Sequence, residues 1–266
     1  MLVVIGLILV ALAFLLPMRT SCRSRETANR VKCASNLRQV GQALLLYASD
    51  NKGHYPQAIY AGGTQVIPTW CTGAATSNPF GENGPVPNDV TAALFLLLRT
   101  QDITPEVFTC PSSNAEKWDF GGASNTALNW SNWTDVQKNL SYSLHNPYAN
   151  DEAIKQGAIW NNSMSPDFAI ASDMNPGHTG GVVNVTNVTS TSSARDMRNA
   201  NSRNHDGDGQ NILYGDGHVS FEQTPFVGVN RDNVFTTKLS STGVTGGPIV
   251  ASPFDGGDSI LLPTSQ

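Results

Sequence analysis

The sequence predicts an α+β fold: a long N-terminal helix packed on an antiparallel β-sheet head with long loops. Three observations predict it. An apolar run and then an amphipathic stripe occupy the first 51 residues. The remainder is rich in Asn, Ser and Thr, and the chain holds 24 Gly in 266 residues, a composition that favours turns over bundled helices. Near the C-terminal end, two short β-forming runs flank Gly215-Asp216-Gly217.

Charge narrows the function classes. Only 14% of residues are charged and the net charge is −5, against roughly 25% charged in an average soluble domain. A dedicated nucleic-acid binder needs a basic stripe, so no nucleic-acid partner is expected. Cys22, Cys33, Cys71 and Cys110 are too few for a disulfide scaffold, and none forms a C-x-x-C. In an oxidising compartment they allow three full pairings. Cys71 with Cys110 is the pairing expected, since both lie in the body; free buried thiols are the alternative.

Leu2–Leu16 is apolar throughout apart from Gly6. Fifteen helical residues span about 22 Å, short for a bilayer core that takes about 20 residues. A signal peptide would carry a basic stretch before the run and a small-x-small site after it, and neither is present. Residues 1–18 are therefore expected to be a transmembrane or assembly segment, single-pass in the inner membrane, with the lipid bilayer as a partner. Val4, Ile5, Ile8, Leu12 and Leu15 are its expected contact residues. Arg19, Arg23 and Arg25 flank only its C-terminal side, which taken literally puts the body in the cytoplasm.

Residues 19–52 read as an amphipathic continuation of the helix. Val31, Ala34, Leu37, Val40, Leu44, Tyr47 and Ala48 recur at three- and four-residue steps, with Arg30, Lys32, Arg38, Gln39 and Gln42 opposite. Gly53 is the expected stop, and Pro56 blocks continuation.

Residues 53–266 form the head. Tyr55–Pro87 reads as loops with short strands. Asn88-Asp89 caps a helix running to Thr100, with Val90, Ala93, Leu94, Leu97 and Leu98 on one face. Thr104–Pro111 reads as a turn and a short strand closed by proline. Gly121–Asn139 is polar and carries Trp130 and Trp133, expected to be packing residues. Leu140–Leu144 and Asp167–Ser172 read as strands, and residues 175–204 as the least ordered stretch.

The densest signal is Asn204–Glu222. Asp-Gly tolerates the positive φ of a tight turn, so Ile212–Tyr214 and His218–Phe221 form a hairpin expected to face the helix stripe. Asp206, Asp208 and Asp216 are the candidate metal ligands, with Ca²⁺ as the cation, since Asp-x-Asp in a Gly-rich loop can wrap a hard ion. The loop is no EF-hand: its sixth position is Asn211 and its twelfth Gly217. The alternative is that these residues only shape turns. No G-x-S-x-G, H-E-x-x-H, P-loop or G-x-G-x-x-G occurs, so no enzyme, catalytic residue or organic cofactor is expected.

The run LVVIGLILVALAFLLP, the basic segment after it and the block ANRVKCASNLRQVGQALLLYASDNKGHYP resemble the N-terminal helix of type IV pilin-like proteins, including type II secretion pseudopilins. The resemblance is to the bacterial group with a prepilin-type cleavage/methylation N-terminus and a C-terminal motif of His, nine residues and Asp-Gly. His205, Asp216 and Gly217 match that motif with ten intervening residues instead of nine. The family's basic leader and its Phe-Thr-Leu-Ile-Glu-like stretch would precede Met1, and the expectation is that the true start lies upstream. That would also resolve the orientation conflict. The resemblance implies a non-enzymatic subunit of a pseudopilus or short filament, its partners being its own copies or other pilin-like subunits met through the N-terminal helix, with the head periplasmic or extracellular. Major pseudopilins bind calcium in a head loop, which the resemblance extends to the Asp loop here. The alternative is a non-polymerising surface module, an adhesin or carbohydrate binder, using the loops at 121–139.

Overall fold

The computed structural model describes residues 3–5, 21–73, 75, 78–178, 184–240 and 246–265. The helices are α1 (Ser21–Asp50), α2 (Val90–Thr100), α3 (Val136–Asn139), α4 (Asp151–Lys155) and α5 (Ala194–Ala200). The strands are β1 (Tyr142–His145), β2 (Ala169–Asp173), β3 (Gln210–Tyr214), β4 (Val219–Glu222) and β5 (Leu261–Leu262), in the order β4-β3-β2-β1-β5. Every pairing is antiparallel. The chain is α+β.

α1 lies across one face of this sheet. Its buried positions, Cys33, Leu37, Val40, Leu44 and Ala48, repeat at four- and three-residue steps, as one face of a 3.6-residue helix requires. Gly41 lets the backbone come close to β3: a Cβ there would sit 2.9 Å from Leu213 Cδ1. The helix ends at Asp50, and Gly53 follows with φ +86°. Two parts of the expected stripe are corrected. Val31 is 64% exposed, and Arg30, assigned to the solvent face, turns to the sheet edge. At its N-terminal end the buried face runs one position earlier than the expected stripe, because Cys33 and Asn36 take the buried positions.

The expected single-pass anchoring in the inner membrane, with the head periplasmic or extracellular, is also corrected. Among the described residues no helix is long and apolar enough to cross a membrane. The long one, α1, carries seven charged side chains in 30 residues. Ile8, Leu12 and Leu15 lie outside the described residues, whereas Val4 and Ile5 are helical and exposed.

The sheet is covered on both sides, which explains why β2 and β3 are buried along their whole length. On the α1 side, Leu213, Ile170 and Leu144 join Phe95, Leu97, Phe108 and Trp133. On the other side, Ile212, Tyr214 and Leu261 join Val185, Met197, Val234 and Phe235. Residues 194–200, in the stretch read as least ordered, form α5, capped by Ser193. Thr104–Pro111 holds no strand: Pro105–Phe108 is a 3₁₀ turn, for which proline's fixed φ is suited at the first position.

α2 matches its sequence signals closely. Asp89 is its N-cap, accepting from the Ala92 amide at 2.8 Å. Its other oxygen accepts from the Thr72 amide at 2.8 Å and the Thr72 hydroxyl at 2.6 Å, so this fully buried carboxylate also pins the preceding loop. Asp89→Ala is expected to cost about 2 kcal/mol or more, the upper range for a cap, because it orphans buried donors as well. A urea denaturation midpoint checks this; an unchanged midpoint would show that the loop finds other acceptors.

Candidate functional site: the seam between the long helix and the sheet

Where α1 meets the open ends of β2 and β3, the chain gathers an unusual density of polar groups. From α1 come Glu26, Arg30, Cys33 and Asn36. From the loop after α2 come Cys110 and Ser112. From the sheet come Tyr142, Asp173 and Asn211, and from the 3₁₀ turn Arg203–His205 come Asn204 and His205.

Cys33 and Cys110 form a disulfide across a sequence separation of 77. This corrects the expected Cys71–Cys110 pair. Cys33 projects from the buried face of α1 directly at Cys110, with Cα atoms 5.3 Å apart, within the usual span of a bridge. Cys71 is a free thiol whose burial, helped by the Asp89 carboxylate, pushes it up to about 12. It is protonated near neutrality and a poor nucleophile.

His205, the first residue of the C-terminal motif, is buried. Its Nδ1 lies 2.6 Å from Glu26 Oε1, its Nε2 3.2 Å from Asp173 Oδ2 and 3.8 Å from Cys110 Sγ. Burial alone would lower the imidazole, but Asp173 and Glu26 outweigh it and hold His205 above its ordinary value. Burial likewise opposes ionisation of Glu26. The Ser112 hydroxyl, His205 and Arg30 overcome it and keep that carboxyl below its usual range. Asp173 is fully buried and accepts at Oδ2 from the Asn211 backbone amide at 2.6 Å and the Asn211 side-chain amide at 3.0 Å. Its Oδ1 accepts from Asn204 at 3.3 Å. On the solvent side, Arg30 stacks over Phe221 at 4.4 Å and reaches Asp208 at 2.9 Å, while Arg198 reaches the other Asp208 oxygen at 2.8 Å.

The expected calcium set is not assembled. Asp206 and Asp208 precede β3 and Asp216 follows it, so the five-residue strand separates them by about 17 Å. Asp208 is held by two guanidiniums, the opposite of an electropositive partner in need of oxygen ligands. Asp216 and Gly217 belong to the hairpin tip. Asp216 accepts from the His218 amide at 3.0 Å, and Gly217 takes φ +87°. The two halves of the motif thus do separate jobs: His205 locks α1 to the sheet, and Asp216-Gly217 turns the hairpin whose Leu213 packs on α1.

Glu26, Asp173, Asn204 and Asn211 were not singled out from the sequence. The available signals were an Asp closing the apolar strand run at 168–173 and a Glu four residues before Arg30. Trp133 is buried edge-on against Phe95 and Phe108, and Trp130 packs on Trp118 and donates to the Phe120 carbonyl at 2.8 Å. These rings serve packing, as expected for Trp130 and Trp133.

A second buried polar group lies under the other sheet face. Burial and the neighbouring Asp258 carboxylate push Asp232 up to about 9, and burial also raises Asp258. A raised folded value means that this contribution to stability is full below about pH 4 and is lost as pH rises towards 9. Asp232→Asn keeps an acceptor for the Ser259 amide. It is expected to gain at least about 1 kcal/mol over wild type at pH 9 relative to pH 5. Parallel urea melts at the two pH values check this, and a constant difference would refute it.

Comparison with family models, with curated proteins and with solved structures returned no match. The functional reading therefore stands on the sequence pattern and this geometry.

Proposed function

We propose that this chain is a non-enzymatic, pilin-like structural subunit that assembles into a pseudopilus or short filament by packing its N-terminal helix against helices of other copies. One observation carries the reading: the head covers one face of α1 and leaves apolar side chains exposed elsewhere on α1 and at residues 3–5. Cys33, Leu37, Val40, Leu44 and Ala48 are buried against the head. Val3, Val4 and Ile5 stand exposed before α1, and Val31, Leu45 and Leu46 are exposed along it. Apolar helix surface of this extent is covered best by like surface on a second copy. The seam supports the reading, because subunits that pull on one another through a helix need that helix fixed to its head. Here a disulfide, a buried ion cluster and the Arg30–Asp208–Arg198 bridge do so.

The full chain is expected to form filaments visible by negative-stain electron microscopy. Val4→Asp combined with Ile5→Asp is expected to abolish them, since each buried, unpaired carboxylate costs several kcal/mol. The circular dichroism of the head should stay unchanged. Filaments of undiminished length from the double variant would overturn the proposal.

A further inference from the structure

One ligand atom from each of Cys33, Cys110, Asp173 and His205 lies within 4.8 Å of the others, and all four residues are buried. Among the described residues this is the one group of metal-type donors that converges in this way. In the oxidised chain the two sulfurs are bonded to each other. We propose that reduction of the Cys33–Cys110 disulfide converts this cluster into a site for one Zn²⁺, so that the helix is held to its head by a metal when it is not held by a covalent bond.

Three observations carry the proposal. The first is spacing. A tetrahedral zinc site with S, N and O ligands has ligand–ligand edges of about 3.3–3.8 Å. His205 Nε2 lies 3.2 Å from Asp173 Oδ2 and 3.8 Å from Cys110 Sγ, so these edges are already formed. The other donor atoms lie within 4.8 Å of one another, so parting of the two sulfurs and small side-chain shifts close the tetrahedron. The second is the surrounding shell. Histidines that ligate zinc give their other nitrogen to a carboxylate or carbonyl, and Glu26 Oε1 lies 2.6 Å from His205 Nδ1. Asn204 donates to the other Asp173 oxygen, Oδ1, at 3.3 Å. The Asn211 side-chain amide donates to Oδ2 at 3.0 Å and lies 3.3 Å from His205 Nε2, contacts that the ion would take over. The third is donor chemistry: two thiolates with an imidazole select zinc over hard cations.

The step balances with a dithiol as reductant. The dithiol gives two electrons and two protons to the Cys33–Cys110 bond and leaves as a cyclic disulfide; the S–S bond breaks and two thiols form. Zn²⁺ then displaces both thiol protons and takes a lone pair from each of the four donors. Reoxidation expels the ion.

The test uses the full chain, reduced with dithiothreitol, freed of reductant without oxygen, and titrated with Zn²⁺ alone. The proposal predicts one zinc per reduced chain and none at this site in the oxidised chain, with diamide releasing the bound zinc as the disulfide re-forms. Cys71→Ser is expected to bind as wild type. Asp173→Asn and His205→Gln, purified with the disulfide intact to secure folding and then reduced, should each bind at least about 10-fold more weakly. Glu26→Gln, a positioning change, should weaken binding about 10–100-fold. Co²⁺ in place of zinc should show the strong absorption of a tetrahedral thiolate site. If the reduced chain loses helicity, zinc should restore it. Three results would overturn the proposal: no zinc uptake on reduction, zinc uptake that ignores Asp173→Asn and His205→Gln, and lost helicity that zinc does not restore.

Discussion

Cys33→Ser, in oxidised protein, is expected to lower the stability of the fold by about 4 kcal/mol. The bridge joins residues 77 apart, and cross-linking a loop of that length removes chain entropy from the unfolded state worth about 4–5 kcal/mol. The bond is also placed where it matters most for the architecture, since among the described residues it is the one disulfide and it ties α1 to the head. Cys110→Ser should match Cys33→Ser, and dithiothreitol with a chelator should bring wild type down to both variants while leaving them unchanged. Cys71→Ser should fall within about 1 kcal/mol of wild type, because it removes no bond and Cys71 is only partly buried. Equal urea midpoints for wild type and Cys33→Ser would contradict the pairing.

Asp173→Ala is expected to be almost as damaging, at about 3–5 kcal/mol, the range for removing one partner of a buried ionic cluster. Asp173 is fully buried and is the acceptor for three donors on Asn211 and Asn204. It also faces His205 Nε2. Truncation takes an acceptor from each of those donors, leaves Asn204 with the Ser141 carbonyl alone, and leaves His205 with Glu26 as its sole carboxylate partner. Asp173→Asn preserves the volume but turns an amide towards other amides, so an intermediate loss is expected. Chemical denaturation of the three proteins checks the order; a stability loss below about 1 kcal/mol for Asp173→Ala would show that water or a rotated Asn211 replaces the carboxylate.

Much of the fold was legible because local rules decided it. The α2 cap at Asp89, the end of α1 ahead of Gly53 and the Gly-Asp-Gly hairpin each depend on residues within four or five positions of one another. The strands at 142–145 and 169–173 were displaced by one or two residues from their expected limits, as fraying ends allow. What stayed hidden was long-range. Which cysteine meets Cys110 depends on how α1 lies across the sheet, and spacing carries no trace of it. Arg30 reads as a solvent-face residue until β4 places Phe221 and the Asp206–Gly209 loop places Asp208 beside it. Asp206, Asp208 and Asp216 looked like one cation loop because sequence proximity cannot see that a strand runs between them. His205 was legible as a motif residue, but its two carboxylate partners lie 179 and 32 positions away, at Glu26 and Asp173.

The most direct test of the proposed assembly is a cross-link between copies at the exposed face of α1. Leu46 is 59% exposed and apolar, and in a Cys22→Ser, Cys71→Ser background with the Cys33–Cys110 bridge intact, Leu46→Cys offers one reactive thiol. A short bis-maleimide should then join copies through this position, and Val4→Asp with Ile5→Asp should abolish the product. A chain that stays uncross-linked through Leu46→Cys, yet links readily through a cysteine at exposed Asn125 in the head loops, would contradict helix-mediated assembly.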